Sequence, residues 1–348
     1  MEIRKFLSVN LADTFFDSLK EDYPKFEEWF WKKSVQGEEA IVQYDEEGHL
    51  QGFLYTKDES QEVDNNITPV MKPKRRLKVG TFKIDAHNTR LGEKFIKKIM
   101  DRAIYEGFEE TYVTIFPKHN RLIDLLKRYG FKDYGTKQKE LVLLKDFSVC
   151  IGNIVYDYPL IQPKHKRKFL LSIYPKFHTP LFSDSILKNE VRNTEDLVKD
   201  VSFSNSIHKV YVCFMPKTAT LKKGDLIAIY RTNDGMGAAR FRSVVTSICQ
   251  VEEVRTKCDF LSIGEFLKYC KYYSIFKEYD LRKWYQNDKL VVIKMTYNIA
   301  LAKRITRGML LDEAGISSTL YWGFFQLTDN QFDYILKRGN VNENFIID

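Results

Sequence analysis

Long apolar runs are missing from this chain. No stretch of its 348 residues approaches the roughly 20 consecutive apolar residues that cross a bilayer. The opening "MEIRKFLSVN" has no apolar segment of signal-peptide length. Both absences predict a soluble, cytoplasmic protein with no membrane partner. Cysteine is scarce as well: five residues, an odd number, with no CxxC pair. That excludes a disulfide framework and a cysteine-based zinc site, and no metal is expected. Internal repeats and low-complexity tracts are also absent.

What is present is a globular composition. At 44% apolar and 14% aromatic the chain has the means to bury sizeable cores, and its length exceeds what one core usually serves, so two domains are expected. A net charge of +8 is small for this length. The cations cluster instead, in "KPKRRLK" (72–78) and "KHKRK" (164–168). Such runs suit a polyanion or cofactor phosphates when they lie free, and are ordinary solvated loops otherwise.

The first part alternates strand and helix patterns. "DTFFDSLKEDYPKFEEWFWKKSVQG" reads as a helix in two pieces, broken at Pro24, and "EEAIVQYDEEGHLQGFLYTK" as a hairpin. In "LKVGTFKI" the apolar alternation slips at Gly80–Thr81, which predicts a β-bulge. Leu91, Phe95, Ile99 and Ala103 then mark the buried stripe of a helix ended by Gly107, with Glu93 and Lys97 spaced as an i,i+4 pair. "TYVTIF" is a further strand. Leu122, Leu125, Leu126 and Tyr129 give a shorter helix with Gly130 as its terminator. From about 148 to 167 prolines and basic residues recur, and a linker is expected there. Beyond it, strand patterns dominate, with inserted helices.

The chemically suggestive stretch is the turn between "LKVGTFKI" and the longer helix. A strand that ends in a polar turn and opens a helix presents free N–H groups to an anion. Here the turn, "HNTRLGE", carries one glycine, Gly92, and one phosphate-pairing cation, Arg90.

In element order and motif, residues 2–147 resemble the GNAT superfamily of N-acetyltransferases. That family has a bulged strand, an R/Q-x-x-G-x-G/A turn, a long helix, a strand, and a helix ending in Gly-Phe. The matching segments are "LKVGTFKI", "HNTRLGE", "KFIKKIMDRAIYEG", "TYVTIF" and "NRLIDLLKRYGF". Gly92 matches the last motif glycine. His87 falls at the Arg/Gln position, and Asn88 and Arg90 stand where glycine-rich members of the family carry further glycines. The resemblance implies an acetyl-coenzyme A-dependent transfer to an amine acceptor. It places the cofactor's pyrophosphate on the N–H groups of Asn88, Thr89, Arg90, Leu91, Gly92 and Glu93. It places the pantetheine arm along Phe82, Lys83 and Ile84, with Asn120 as a further contact. The tyrosine that often protonates the leaving thiolate would fall at Leu126, so no catalytic residue is assigned. Asp85 and His87 are candidate bases with ordinary turn roles as alternatives.

Residues from about 168 to 348 resemble a PUA/ASCH-type β-barrel in "LKKGDLIAIYRT", "FRSVVTSICQVEEV" and "KLVVIKMTYNIALAKRITRGML". Related folds bind RNA or modified bases. That implies RNA or DNA as a partner, with Arg231, Arg240 and Arg242 around the loop "TNDGMGAA" and Trp322, Trp284 or Tyr321 for stacking. Core packing is the alternative for these aromatics, and is the reading for Phe324 and Phe325. The expectation is therefore an α/β (α+β) protein: a GNAT-type mixed sheet with helices over 1–147, a linker over 148–167, and a PUA-like small barrel with inserted helices over 168–348. Its expected activity is N-acetyl transfer, with a possibly nucleic-acid-linked substrate. The alternative is a non-catalytic RNA- or DNA-binding protein with a degenerate GNAT domain.

Overall fold

A computed structural model describes residues 1–61, 64–85, 90–185 and 206–347. The chain divides into two compact units, Met1–Ser148 and Val149–Asp348. Each is a mixed α/β body built on its own sheet. No helix among the described residues is long and apolar enough to cross a membrane.

The first unit has an eight-stranded sheet. Its strands are β1 (Glu2–Lys5), β2 (Glu39–Tyr44), β3 (Leu50–Asp58), β4 (Ile67–Thr68), β5 (Arg76–Ile84), β6 (Glu110–Ile115), β7 (Lys132–Lys137) and β8 (Glu140–Asp146). They run in the order β1-β2-β3-β5-β6-β8-β7-β4, and among the described residues only β5 and β6 pair in parallel. The bulge falls where the alternation slips: Tyr55 faces Thr81 while Thr56 faces Val79, so Gly80 is the extra residue. A Cβ at Gly80 would lie 2.8 Å from the Tyr55 ring, so only glycine fits that bulge without displacing the ring.

Helix α1 (Asp17–Asp22) and helix α2 (Phe26–Val35) bring Phe26 and Phe30 against Phe6, Phe15, Phe16 and Phe53, an aromatic cluster with edge-on ring pairs. Helix α3 (Leu91–Tyr105) buries Leu91, Phe95, Ile99 and Ala103 as its spacing requires. Phe95 packs edge-on against Phe82 and into the space left by Gly52, where a Cβ would approach it to 2.4 Å. Lys97 reaches forward to Asp101 at 2.7 Å, and Glu93 lies beside Arg90 and Arg128. Gly107 and Gly130 end α3 and α4 (Asn120–Arg128) with positive φ.

The first basic run is woven into this unit. Arg76 is 4% exposed, and its Nε donates to Glu110 Oε1 at 2.5 Å. Lys74 lies 3.4 Å from both Glu110 and Asp146.

In the second unit the sheet order is β10 (His208–Cys213), β13 (Val291–Thr306), β12 (Val244–Thr256), β11 (Leu226–Arg231), β9 (Lys168–Ile173), β14 (Phe324–Leu327). The β9–β11 pair is parallel. The long β12–β13 ladder shifts register three times, which bends it. Side chains from all six strands, both edges included, meet in one apolar cluster, as on the concave side of a curled sheet. Helix α5 (Pro175–Leu181) adds Leu181 to that cluster. "ARFR" forms a helical turn, α6 (Ala239–Arg242), ahead of β12. Helices α7 (Ile263–Lys271) and α8 (Glu278–Trp284) pack Phe266, Cys270 and Leu281 on Val210 and Val292, whose side chains leave the opposite face of the sheet. The stretch 149–167 is held to this unit: Tyr158 is fully buried and its hydroxyl donates to the Tyr297 carbonyl at 3.1 Å. The second basic run is engaged too, Arg167 by Asp225 and Lys168 by Asp329.

Candidate functional site

The parallel pair that defines the first unit is incomplete. β5 and β6 are in register from Arg76–Glu110 to Val79–Val113 and no further, although β5 continues to Ile84 and β6 to Ile115. The bulge at Gly80 turns β5 away from its neighbour at that point. The two diverging ends line a cleft of about 1090 Å³. Its walls include Val79–Ile84 of β5 with the following Asp85, Val113–Ile115 of β6, the starts of α3 and α4, and the α1–α2 segment. A strand without its ladder on one side leaves backbone donors and acceptors for an extended ligand.

Phe82 is buried against Phe95, and Ile84 is half-buried. The Lys83 ammonium ties β5 to α1, donating to Ser18 Oγ at 2.7 Å and to the Phe15 carbonyl. Asp85 lies 3.7 Å from it. His87, Asn88 and Thr89 fall outside the described residues. Arg90 is the residue before α3 and makes no side-chain cap. Its guanidinium is 3.5 Å from Glu93, and that of Arg128 is 3.7 Å from the same carboxylate. Glu93, only 4% exposed, sits in the first turn, where the helix dipole favours an anion. Leu91 is buried.

Gly92 has a role that the motif does not reveal. A Cβ there would lie 2.7 Å from Leu125 Cδ2 and 3.6 Å from Ile84 Cδ1. The glycine lets α3 approach α4. Asn120 is exposed at the cleft edge as the first residue of α4, with His119 in the capping position. Leu126 and Tyr129 are both fully buried, and the Tyr129 carbonyl accepts from Lys145 at 3.0 Å. Neither side chain reaches the cleft.

Other residues do, and sequence reading missed them. Asp22, at the end of α1, has a side chain only 7% exposed, and its carboxylate accepts from Lys118 and, at 3.0 Å, from His119 Nε2. Beside it the Tyr23 hydroxyl donates to Glu140 Oε1 at 2.5 Å, and burial together with that carboxylate pushes the phenol far above its usual range. Arg121 and Arg128 of α4 complete the rim. Lys25, Lys83, Arg90, Lys118, Arg121 and Arg128 face the cleft against Asp22, Asp85 and Glu93, six cations to three carboxylates, a surplus of three positive charges before His119 is counted. Asp22 and His119 are 97 positions apart. The available signal was a strand-ending proline followed at once by "KHN".

In the second unit the candidate residues do not form one open surface. Arg231 is 1% exposed. Arg242 lies along Asp234, its Nε donating at 2.6 Å, which holds that carboxyl well below its usual range. Arg240 pairs with Asp312. Trp322 is half-buried, with the Arg307 guanidinium over its ring at 4.6 Å and Tyr230 at 5.4 Å. Tyr321 is exposed, while Trp284 packs against Phe177 and Phe276. Phe324 stacks on Phe169 in the core, and Phe325 meets Trp322 edge-on. Asp45, Glu47 and His49 approach one another at the exposed hairpin turn. There Asp45 accepts from the His49 N–H and from Gln51, so the turn's own bonds account for the cluster.

Among solved structures, the chain is similar to an ASCH protein of Zymomonas mobilis (10% identity, TM-score 0.33), over 49% of this chain and 94% of that one. It is similar to a putative acyl-CoA N-acyltransferase of Klebsiella pneumoniae (15% identity, TM-score 0.29), over 42% of this chain and 96% of that one. It is also similar to the PaiA N-acetyltransferase of Thermoplasma acidophilum in complex with coenzyme A (14% identity, TM-score 0.28), over 42% of this chain and 98% of that one. No family model matches the chain, and no curated protein does.

Proposed function

We propose that the first unit is an N-acetyltransferase that draws on acetyl-coenzyme A. The observation that carries this reading is the parting of β5 from β6 beside a cationic helix start. A bifunctional ligand is required to use both features. It must be extended and amide-bearing at one end, to add to the bare edge of Phe82, Lys83 and Ile84. It must be polyanionic at the other, to suit the N–H groups of Arg90, Leu91, Gly92 and Glu93 and the guanidinium groups of Arg90, Arg121 and Arg128. Coenzyme A has both ends, and a cleft of about 1090 Å³ has room for it. The same reading assigns Asn88 and Thr89 to the phosphates and Asn120 to the cleft edge. Bound there, the cofactor supplies an acyl carbonyl activated as a thioester. The chain's part is to orient it, to receive an amine from the α1–α2 side, and to shield the reacting centre with Phe26 and Trp29.

The chemistry is assigned to this unit because Arg240 and Arg242, which a nucleic-acid-linked acceptor would meet, already face carboxylates. The test is calorimetric titration of acetyl-coenzyme A into the whole protein and into Arg121→Glu and Arg128→Glu. Saturable binding is expected, about tenfold or more weaker in each variant and falling as salt rises. If the unsubstituted protein does not bind, the proposal fails.

A further inference from the structure

The sequence offers two candidate bases near the turn: Asp85, which lies 3.7 Å from the Lys83 ammonium, and His87, which is outside the described residues. The cleft contains a further pair. Asp22 reaches it from α1, and His119 from the turn between β6 and α4. His119 Nε2 lies 3.0 Å from Asp22 Oδ2. A carboxylate only accepts, so the ring proton sits on Nε2 and the lone pair is left on Nδ1. The Asp22 side chain is 7% exposed and that of His119 41%, so the carboxylate is enclosed while the ring opens to the cleft. This is the arrangement of an orienting acid behind a base.

We propose that His119 is the general base for the amine acceptor, with Asp22 as its positioning residue. This rests on the acyl-transfer reading above. An acceptor that enters as an ammonium ion gives a proton to His119 Nδ1. The freed nitrogen lone pair then forms a C–N bond to the thioester carbonyl carbon. The C–S bond breaks with its electron pair on sulfur, and the second N–H proton passes to that thiolate. His119 releases its proton to solvent, which closes the cycle. Lys118 shares the Asp22 carboxylate, Arg121 is a permanently charged guanidinium two residues further on, and the Tyr23 hydroxyl is engaged by Glu140, so among the described groups of this cluster the imidazole is the base that remains.

The experiment uses the full chain with acetyl-coenzyme A and three acceptors: ethanolamine, spermidine and a lysine peptide. Three proteins are compared: unsubstituted, His119→Gln and Asp22→Asn. Coenzyme A affinity by calorimetry should change less than about twofold. With the best acceptor, kcat/KM should fall by about 10²–10⁴ in His119→Gln, the usual contribution of a positioned base. The acid limb of the pH–rate profile should vanish with it. Independently of turnover, nitrogen NMR of the unsubstituted protein should report the Nε2–H tautomer at His119, and Asp22→Asn should mix the tautomers. An unchanged rate and limb in His119→Gln overturns the inference while leaving the acyl-transfer reading intact. So does an Nδ1–H tautomer. Absent coenzyme A binding, or binding with none of the three acceptors acetylated, overturns both.

Discussion

Adding one methyl group at Gly92 separates two explanations of that residue. If the glycine serves only the close approach of a phosphate, Gly92→Ala spares stability and weakens coenzyme A. The packing argues otherwise. The new Cβ would lie 2.7 Å from Leu125 Cδ2, a separation that real Cβ atoms essentially never show, so α3, α4 or the Leu125 rotamer must move. Overpacking of this kind costs about 1–3 kcal/mol. Alanine recovers up to about 1 kcal/mol of helix propensity over glycine, and less than that near a helix end. The net expectation is a loss of about 1–2 kcal/mol, a factor of roughly 5–30 in the local opening equilibrium. Native-state hydrogen exchange at the amides of 95–100 reads this locally, without involving the second unit. Trimming the opposing side chain, Leu125→Val, should recover part of the loss, and the cycle of the two single variants and the double variant should show a coupling of about 1 kcal/mol. Unchanged exchange in Gly92→Ala, or no coupling to Leu125, would refute the reasoning and return Gly92 to the ligand alone.

Two further outcomes follow from buried polar groups. Arg76→Met leaves Glu110 buried without its closest partner, and should cost about 3–5 kcal/mol of first-unit stability in urea unfolding, whereas the paired change Arg76→Met with Glu110→Leu should recover most of it. His178 is fully buried in the second unit with its Nε2 against Thr246 Oγ1 at 2.8 Å, and burial, aided by Arg231 and Arg304, pushes its pKa down to about 3. Because the folded state binds this proton more weakly than the unfolded chain, stability is complete above the unfolded value near 6.5 and falls as pH drops toward 3, by about 2 kcal/mol at pH 5. Acid unfolding of the second unit should show that slope, and His178→Gln should remove it.

The sequence determined the local architecture because local architecture has local causes. The slip at Gly80–Thr81 predicts the bulge, the fourfold stripe from Leu91 to Ala103 predicts the buried face of α3, and Gly107 and Gly130 predict where the helices stop. It also singled out "HNTRLGE" as a candidate turn for an anion. It could not show that Gly92 is fitted to Leu125, or that Arg76 and Arg242 are occupied by carboxylates, because those partners come from other elements. The same limit hid Asp22 and His119. A base and the acid that orients it need only meet in space, and when 97 residues of chain separate them nothing in either neighbourhood encodes the meeting. Tertiary packing brought α1 over the end of β6, and that packing, acting through a nearly buried carboxylate, turned two ordinary side chains into a pair.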